Sequence, residues 1–296
     1  MRRKRAKSLY LKFLLCAVLL VIGGTIVVFT SIEERRTRIN FVSLPLPQMT
    51  EIMRQRFDGL KIAVAADFHS GEAGLEELSG LIDRIKLREP DLVLLLGDYI
   101  TSPRSVSNLS KLRADISKRL ARFAETPHVA VLGNYETLSN ADRWLTVLRH
   151  YGIRAIENDV AEVSLPRGLV CVRGLGDRYS ERFRYIDFSD KCADALKITV
   201  THDPAGIFDD RVRGLAFAAH THCGQISLPL IGPLWVPSDA PRAAYCGHYT
   251  DNQRTLFVTS GVGTSILPIR FGAPSQWDLV TLKAVTPGSL GGKRQP

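Results

Sequence analysis

The sequence predicts an α/β domain preceded by one apolar N-terminal helix. In the first half of the domain short apolar runs alternate with helical patterns, and the second half is a succession of strand-like segments. The runs of the first half are almost continuously apolar, as strands of a parallel sheet buried on both faces are. A chain of 296 residues is long enough to bury a large core.

The N-terminal segment has the pattern of a membrane anchor. Residues 13–32 are twenty uncharged residues, enough to cross a bilayer as a helix. Residues 1–12 carry six basic groups and no acid, whereas residues 33–36 mix Glu with Arg. The positive-inside rule therefore predicts a cytoplasmic N-terminus and a domain outside the cytoplasm. A cleaved signal peptide is the alternative, but the long run and the lack of a small-residue cleavage site favour an uncleaved anchor.

Charge and cysteine content exclude several classes. The formal net charge is +9, and it falls to +3 without the six basic groups of residues 1–12. Because basic and acidic residues are nearly equal in number in the rest of the chain, the domain lacks the basic face of a nucleic-acid-binding protein. No nucleic-acid partner is therefore expected. The five cysteines contain no C-x-x-C pair, which excludes a zinc finger and a dense disulfide framework. A disulfide remains possible, and the sequence does not say which.

The chain divides into five segments, which are a basic cytoplasmic flank (1–12), the anchor (13–32), a juxtamembrane linker (33–58), the domain (59–284) and a disordered tail (285–296). Within the domain, apolar strands are predicted at 61–67, 91–98 and 128–134. Helical patterns lie between and after them, at 75–90 (stopped by Pro90), at about 106–125 and at 141–152 (ending at Gly152).

Polar residues follow the predicted strands in five units, which are Asp67-x-His69, Gly97-Asp98, Gly133-Asn134, Thr201-His202-Asp203 and Ala219-His220-Thr221-His222. Each unit alone is weak, but five in this order at strand ends, where α/β sheets bind ligands, are a strong joint signal. Residues two apart on an extended chain point to the same side, so Asp67 and His69 can bind one ion, as can His220 and His222. Carboxylate, imidazole and amide ligands suit Zn²⁺, Mn²⁺ or Fe. Two such ions about 3.5–4 Å apart bind a phosphoryl group and activate water.

These motifs resemble the calcineurin-like metallophosphoesterase superfamily over residues 60 to 283, most closely its membrane-anchored bacterial branch. The family signature is D-x-H, G-D, G-N-H-[DE], H and G-H-T-H, and the stretches "THCGQISLPLIGP" and "GVGTSILPIRFG" also resemble that branch. The resemblance implies a four-layer αββα sandwich of two mixed sheets. It further implies a first metal bound by Asp67, His69 and His222, a second bound by Asn134, His202 and His220, and Asp98 as the bridge between them.

The chain departs from this family at the catalytic position. After Gly-Asn the family usually has a histidine that stabilises the transition state and protonates the leaving oxygen, often oriented by an Asp. Here Tyr135 and Thr101 stand at those two positions. Three hypotheses follow. Tyr135 donates its hydroxyl, although phenol is a poorer donor than imidazolium; or another histidine, such as His248 or His128, takes the role; or the site binds ligand with little turnover.

Other residues have two interpretations each. Arg270 either contacts a substrate phosphate together with Asn134, or lies in a solvated loop. Asp203 either orients His202 or caps the turn before Pro204. Glu136 is interpreted as a first-turn charge favouring the helix dipole. Cys223, which follows His222, is interpreted as a small packing residue and not as a thiolate ligand.

The function expected is therefore that of a binuclear-metal phosphoesterase in the bacterial inner membrane, single-pass, with its catalytic domain in the periplasm. It would hydrolyse a phosphomonoester or phosphodiester, and a lipid- or envelope-linked ester suits a tethered domain. UDP-2,3-diacylglucosamine, a substrate of relatives, is a minority candidate because it is cytoplasmic. The alternative function is a low-turnover metal- and phosphate-binding envelope protein. The oligomeric state is not predicted.

Overall fold

The computed structural model describes residues 12–14, 17–18, 24, 37–46 and 49–284. Its strands are β1 (Arg38–Pro45), β2 (Lys61–Ala65), β3 (Leu92–Leu95), β4 (His128–Ala130), β5 (Asp159–Leu165), β6 (Gly168–Gly174), β7 (Leu196–Val200), β8 (Gly214–Ala218), β9 (Ser227–Leu228), β10 (Gly232–Pro233), β11 (Gly247–Thr250), β12 (Arg254–Val258) and β13 (Gln276–Lys283). Its α-helices are α1 (Glu51–Phe57), α2 (Leu75–Lys86), α3 (Leu109–Leu120), α4 (Asn134–Leu138) and α5 (Ala141–His150). Short 3₁₀ turns are Glu72–Gly74, Pro103–Ser105, Ala121–Phe123, Asp190–Cys192, Pro204–Phe208, His222–Gly224 and Arg242–Ala244.

Two mixed sheets form the centre of the domain. The first has the order β1-β13-β2-β3-β4, in which β2, β3 and β4 are parallel and β13 runs antiparallel to β2. The second has the order β11-β12-β8-β7-β6-β5, with parallel strands inside and antiparallel strands at both edges. A small hairpin of β9 and β10 lies outside both sheets. Both halves of the domain therefore follow the strand pattern predicted from the sequence.

Three layers of the predicted αββα sandwich are present. The core between the sheets includes Val64 and Leu94 from the first sheet and Ile198 and Phe217 from the second. Helices α2, α3 and α5 cover the outer face of the first sheet, where Trp144 is fully buried. The outer face of the second sheet is covered by 3₁₀ turns and loops, and no α-helix lies there in the described part of the chain. The fourth layer is thus irregular where the resemblance implied helices.

The predicted helices form where the sequence supplies caps. The Asn108 side chain accepts a hydrogen bond from the backbone N–H of Lys111 at the start of α3, and Asn140 does the same for Arg143 at the start of α5. Beyond α5, Gly152 has a left-handed backbone (φ +82°), which ends the helix where the sequence predicted. The helices therefore begin and end through local chemistry that the sequence displays.

The segment predicted as a linker, 33–58, belongs to the domain from residue 38 onwards. Strand β1 pairs in parallel with β13 along its whole length, and Leu44 and Phe57 are fully buried. The linker prediction is therefore wrong for this part, because its few apolar residues pack against a strand more than 200 residues away. The predicted tail 285–296 and nearly all of the predicted anchor 13–32 lie outside the described residues. Within the described residues, no helix is both long and apolar enough to cross a membrane.

Candidate metal centre

The first group of candidate ligands lies after β2 and β8. Asp67 and His69 follow β2, and His222 follows β8, so the two sheets contribute to one cluster. His69 Nε2 lies 3.2 Å from His222 Nε2, and Asp67 Oδ1 lies 3.7 Å from the same His222 nitrogen. All three side chains have little solvent exposure. These atoms converge on one point, as ligands of one ion do.

The second group lies beside the first. It combines Asp98 after β3, His202 after β7 and His220 after β8. His220 Nδ1 is 3.2 Å from His202 Nε2, and Asp98 Oδ2 is 3.3 Å from that nitrogen. Asp98 Oδ2 is also 3.7 Å from His69 Nε2 in the first group. Asp98 therefore lies between the two clusters, where the family resemblance implies a bridging residue.

The distances between ring nitrogens, the hydrogen bonds of the histidines and the unpaired oxygens of this cluster are those expected of a site for two divalent ions. Metal–nitrogen bonds of about 2.1 Å place two nitrogens on one ion roughly 3.0–3.4 Å apart, which matches both ring pairs. His202 Nδ1 lies 2.6 Å from the Leu96 carbonyl and His220 Nε2 lies 2.7 Å from the Pro237 carbonyl, so each ring donates from the nitrogen that faces away from the cluster. Both carboxylate oxygens of Asp67 and Oδ1 of Asn134 are buried without a hydrogen-bond partner in the structure. Such orphaned oxygens are costly unless a cation binds them.

The backbone at this edge is held in an uncommon conformation. Asp67, His69, Asp98, His220 and His222 all have left-handed φ angles between +45° and +67°. Non-glycine residues rarely adopt such angles, and they cluster at functional sites. Two glycines make the close packing possible, since a Cβ on Gly133 would lie 2.2 Å from Asp98 Oδ1 and one on Gly261 would lie 2.5 Å from Asp67 Oδ2. The strand ends thus turn sharply to direct the ligands into one cluster.

Burial and neighbouring charges set the protonation of the cluster. Burial raises the pKa of Asp67 to about 7 and lowers the pKa of His69 to about 4. Burial acts against the ionised form of Asp98 as well, but the adjacent His202 holds the pKa of that carboxyl at about 2. The pKa of His222 is well below its usual value, first through burial and then through Arg270. His69 and His222 are therefore neutral, which is the form in which imidazole binds metals.

Glu136 has a larger role than the sequence suggested. Its buried carboxylate accepts hydrogen bonds from the backbone N–H groups of Asp98, Tyr99, Ile100 and Gly133 at 2.8 to 3.3 Å. These bonds join the loop after β3 to the loop after β4. Interpreting Glu136 as a helix-dipole charge missed this function, because its partners lie 36 to 38 residues away.

Arg270 lies behind the cluster and does not face the cavity. It is 1% exposed, and its guanidinium donates to the backbone carbonyls of Ser260, Gly263 and Ala273. Its Nη2 also contacts His222 Nδ1 at 2.9 Å. The prediction that Arg270 contacts a substrate phosphate is therefore wrong, as is the alternative of a solvated loop. Because a guanidinium only donates, Nδ1 of the neutral His222 ring accepts this contact, and the proton on Nε2, the nitrogen that faces the cluster, would have to leave for a metal to bind there.

Tyr135 lines the cavity in front of the cluster. Its hydroxyl is 3.0 Å from Ser265 Oγ, and its ring meets the His69 ring edge to face at 4.7 Å. The cavity has a volume of about 270 Å³ and also contacts Asp98, Asn134, His220 and His222.

Neither histidine proposed as a substitute lies at this cavity. His128 is at the start of β4, at the far end from the ligands, where its Nδ1 is 2.8 Å from the Thr126 carbonyl. His248 is exposed on the edge strand β11. The structure therefore does not bear out the hypothesis that one of them replaces the missing histidine.

Two cysteine pairs form disulfides, Cys171–Cys192 and Cys223–Cys246. Cys223 was interpreted as a packing residue, and it instead links the loop of His222 to the segment before β11. Asp203 caps the turn before Pro204, since its Oδ1 accepts from the Ala205 N–H. His202 is oriented by the Leu96 carbonyl instead.

The sequence interpretation also missed Asp177, which follows β6 at the same edge as the ligands. It is 1% exposed, its Oδ2 accepts from the Ser180 N–H at 2.9 Å, and its Oδ1 has no hydrogen-bond partner. Burial and then His202 lower the pKa of His220, and the charge of Asp177 opposes this shift. Burial also acts to lower the pKa of His202, but Asp98 raises it, and Asp177 adds to that increase. The signal was present in the Gly-Asp pair at a strand end, the same pattern as Gly97-Asp98.

Comparison with known proteins agrees with this geometry. The model of the calcineurin-like phosphoesterase family matches residues 60–224, a span that contains all seven predicted ligands. The chain belongs to the calcineurin-like phosphoesterase family. It is accordingly a metal-dependent phosphoesterase.

Three relatives illustrate the similarity. The chain is 29% identical over 240 residues to the metallophosphoesterase YkuE of Bacillus subtilis (strain 168), covering 77% of this chain and 80% of YkuE. It is 27% identical over 298 residues to the metallophosphoesterase Cj0846 of Campylobacter jejuni, covering 95% and 73%. It is 28% identical over 212 residues to the phosphodiesterase YaeI of Escherichia coli (strain K12), covering 69% and 75%.

Proposed function

We propose that the domain uses two divalent ions, Mn, Zn or Fe, to hydrolyse a phosphomonoester or phosphodiester with water as the nucleophile. The first ion would be held by Asp67, His69 and His222, the second by Asn134, His202 and His220, and Asp98 would contribute to both. The observation that carries the proposal is the pair of buried ligand groups joined by Asp98, with the unpaired oxygens of Asp67 and Asn134 among them. A relative named as a phosphodiesterase favours the diester.

The ions, when bound, polarise the phosphoryl oxygens and lower the pKa of water. The protein's own residues supply orientation. The Leu96 and Pro237 carbonyls fix the ring nitrogens of His202 and His220 that face the cluster, and Glu136 fixes the loop that carries Asp98. Such positioning by neighbouring groups raises metal affinity and activity.

Tyr135 is assigned the donor role toward the leaving oxygen. When the Ser265 hydroxyl donates to the Tyr135 oxygen, the phenolic proton is free to point into the cavity. The proton then passes from Tyr135 to the leaving oxygen as the P–O bond breaks. A phenol donates less readily than an imidazolium, so esters with good leaving groups should be hydrolysed best.

A second candidate is a protein that binds metal and phosphate with little turnover. The observation that favours it is the tyrosine at the catalytic position, combined with a cavity whose only histidines, among the described residues, are candidate ligands. The two candidates differ in one measurement, the hydrolysis of an activated aryl phosphodiester with Mn²⁺ present and then chelated.

We further propose that the domain is anchored in the bacterial inner membrane and lies outside the cytoplasm. The uncharged run 13–32 and the two disulfides support this location, because disulfides persist in oxidising compartments. UDP-2,3-diacylglucosamine, a cytoplasmic substrate, fits this location poorly.

The test of the proposed function measures metal content and activity together. We expect about two ions per chain, with loss of both in Asp98→Ala, because that carboxylate touches both groups. In His69→Ala we expect chiefly the binding of the first ion to be weaker. Activity on an aryl phosphodiester should fall by about 10³-fold or more in Asp98→Ala.

The matched control is Asp239→Ala, which removes an exposed carboxylate on the loop after Pro237. It should keep both ions and full activity. If Asp98→Ala retains two ions by mass spectrometry, the ligand assignment is wrong. If wild type binds two ions but hydrolyses no ester above the chelated background, the low-turnover candidate replaces the enzyme.

A further inference from the structure

We propose that two loops beside the metal cavity form an apolar rim that enters a lipid bilayer, so that the substrate is a phosphoester of a membrane lipid. The rim consists of Leu230, Ile231, Leu234, Trp235, Ile266 and Leu267. This inference rests on the proposed phosphoesterase function and names the substrate class of the same site.

The rim is exposed and continuous with the metal cavity. Leu230 is fully exposed, and Ile266 and Trp235 are 79% and 60% exposed. Leu234, Trp235, Ile266 and Leu267 line the cavity that also contacts Asp98 and Asn134. Large apolar side chains clustered on a surface mark a site that binds a protein, a ligand or a membrane. A lipid whose phosphate lies at the ligands would place its acyl chains against the rim.

The backbone presents these side chains in a way that favours exposure. Leu230 has φ +68° at the third position of a turn closed by the Ile231 N–H and the Leu228 carbonyl, with Pro229 before it. Glycine is the usual residue at that position of such a turn. Ile266 has φ +61°, which is rarer still for a β-branched residue. Apolar side chains at both loop tips thus occupy positions where stability alone favours small or polar residues.

Polar residues hold both tips in place. Gln225 donates to the Ser265 and Leu267 carbonyls at 3.0 and 2.8 Å and accepts from the Ser265 N–H. The exposed Arg242 donates to the Ile231 carbonyl at 2.9 Å. Arg242 thereby places a cation beside an apolar tip, the pairing that suits a surface of anionic lipids. The Ile266 tip is thus tied through Gln225 to the loop of His222, which lies three residues earlier in the chain.

The chain enters the domain at the same edge. Strand β1 begins at Arg38, whose N–H donates to Ser275, and Thr37 lines a cleft with His69 and Thr264. The uncharged run ends at residue 32, and four residues reach at most about 14 Å. An anchor at 13–32 would therefore hold the metal edge, and the rim with it, against the bilayer. This juxtaposition identifies the bilayer as the occupant, in preference to a soluble protein.

Trp235 provides a direct test. The sequence has three tryptophans, and Trp144 and Trp277 are fully buried. The full chain is reconstituted into vesicles of phosphatidylethanolamine and phosphatidylglycerol with brominated acyl chains, which quench fluorescence only from within the bilayer. The emission of Trp235 is obtained by subtracting the spectrum of Trp235→Phe from that of wild type. We expect this emission to be at least twofold weaker in brominated vesicles than in vesicles without bromine. Unquenched Trp235 emission, or dimers that depend on the rim, would overturn the proposal.

A second measurement uses turnover. Leu230→Ser and Ile266→Ser should lower hydrolysis of a vesicle-borne lipid phosphoester about tenfold more than hydrolysis of a soluble aryl phosphodiester. The control is Leu87→Ser, which changes an 80% exposed leucine after α2. Its neighbour Arg88 accepts a hydrogen bond from Lys61 through its backbone carbonyl, and Lys61 is at the end of β2 opposite to the ligands. Leu87→Ser should leave both activities unchanged. Equal losses of activity on the two substrates would refute the proposal that the rim enters the bilayer. Quenching is measured without turnover, so an inactive protein with a quenched Trp235 would contradict the phosphoesterase proposal alone.

Discussion

At the scale of single residues, Tyr135 is the departure from the family pattern on which the proposed chemistry depends. Its backbone N–H donates to Asp98 Oδ1 at 2.9 Å, which any residue would do, so the side chain alone changes the chemistry. The phenol reaches Ser265 on one of the rim loops. A histidine at this position would be shorter and would lose that contact. The tyrosine therefore connects the cavity to the rim loop, and in the proposed mechanism it is a weaker proton donor to the leaving oxygen than a histidine would be.

This interpretation predicts how activity depends on the leaving group. Wild type should hydrolyse aryl phosphodiesters well and alkyl esters poorly, because an alkoxide needs the proton more. Tyr135→His should raise the alkyl rate by about tenfold or more and the aryl rate less. Adding Thr101→Asp should enlarge the gain beyond the sum of the single effects, since the two residues would act as a unit. The measurement is a two-by-two cycle at saturating Mn²⁺.

The control for that cycle is Tyr135→Phe, which keeps the ring against His69 and removes only the hydroxyl. It should lower the alkyl rate without changing metal content. If Tyr135→His leaves both rates unchanged or lower, Tyr135 is not at a catalytic position and the proton has another source.

At the scale of elements, strand β13, which lies between β1 and β2 in the first sheet, carries a buried carboxylate that makes stability depend on pH. Asp278 Oδ1 accepts from Asn40 on β1 and from Gln276, at 2.7 and 2.8 Å, while its Oδ2 is buried without a partner. Burial raises the pKa of Asp278 to about 6. The folded state therefore holds this proton more tightly than the unfolded chain, whose Asp has a pKa of about 3.9.

The sign of the pH effect follows from proton binding. Between pH 4 and 6 the folded state binds more protons, so its free energy of unfolding falls as the pH rises through this window. Asp278→Asn keeps an acceptor for Asn40 and has no charge to bury. We expect it to be more stable than wild type by about 2 kcal/mol at pH 8, with the gain vanishing near pH 4. Urea unfolding at both pH values measures it, with Asp239→Asn as an exposed control. A gain that does not change with pH would show that Asp278 titrates normally.

The elements differ in how far the sequence alone predicts them. The strand ends and the two clusters of Asp and His side chains were predictable, because an apolar run that ends in Asp or His is a local pattern. Strand β1 was not, because a segment that mixes four apolar residues with Arg, Asn, Ser and Pro resembles a connection and becomes a strand only by pairing with β13. Glu136, Arg270 and the two disulfides were misread or missed for the same reason. Their roles depend on partners brought close by the fold, and a single sequence does not display those partners.

At the scale of the whole molecule, the ligands, the rim and the entry of the chain share one edge. The parallel strands of the two sheets end there, and each sheet alone supplies an incomplete ligand group. Packing of the sheets through their shared core therefore assembles the site, so a loss of packing should disturb metal binding before it disturbs either sheet. The disulfide Cys223–Cys246 ties down the loop that carries His222 at this same edge.

The last prediction concerns the compartment. An anchor at 13–32 led by six basic groups would place everything after it outside the cytoplasm, where the two disulfides could form. We expect a C-terminal fusion to alkaline phosphatase, which is active only when exported, to be active, and a matching fusion to green fluorescent protein to be dark. Replacing the six basic residues of 1–12 with neutral ones should weaken this orientation. In the intact protein, thiol trapping should label the four domain cysteines only after reduction. A fluorescent fusion with no phosphatase activity, together with freely labelled domain cysteines, would place the domain in the cytoplasm and remove the argument that the chain's own anchor presses the rim against the outer face of the membrane.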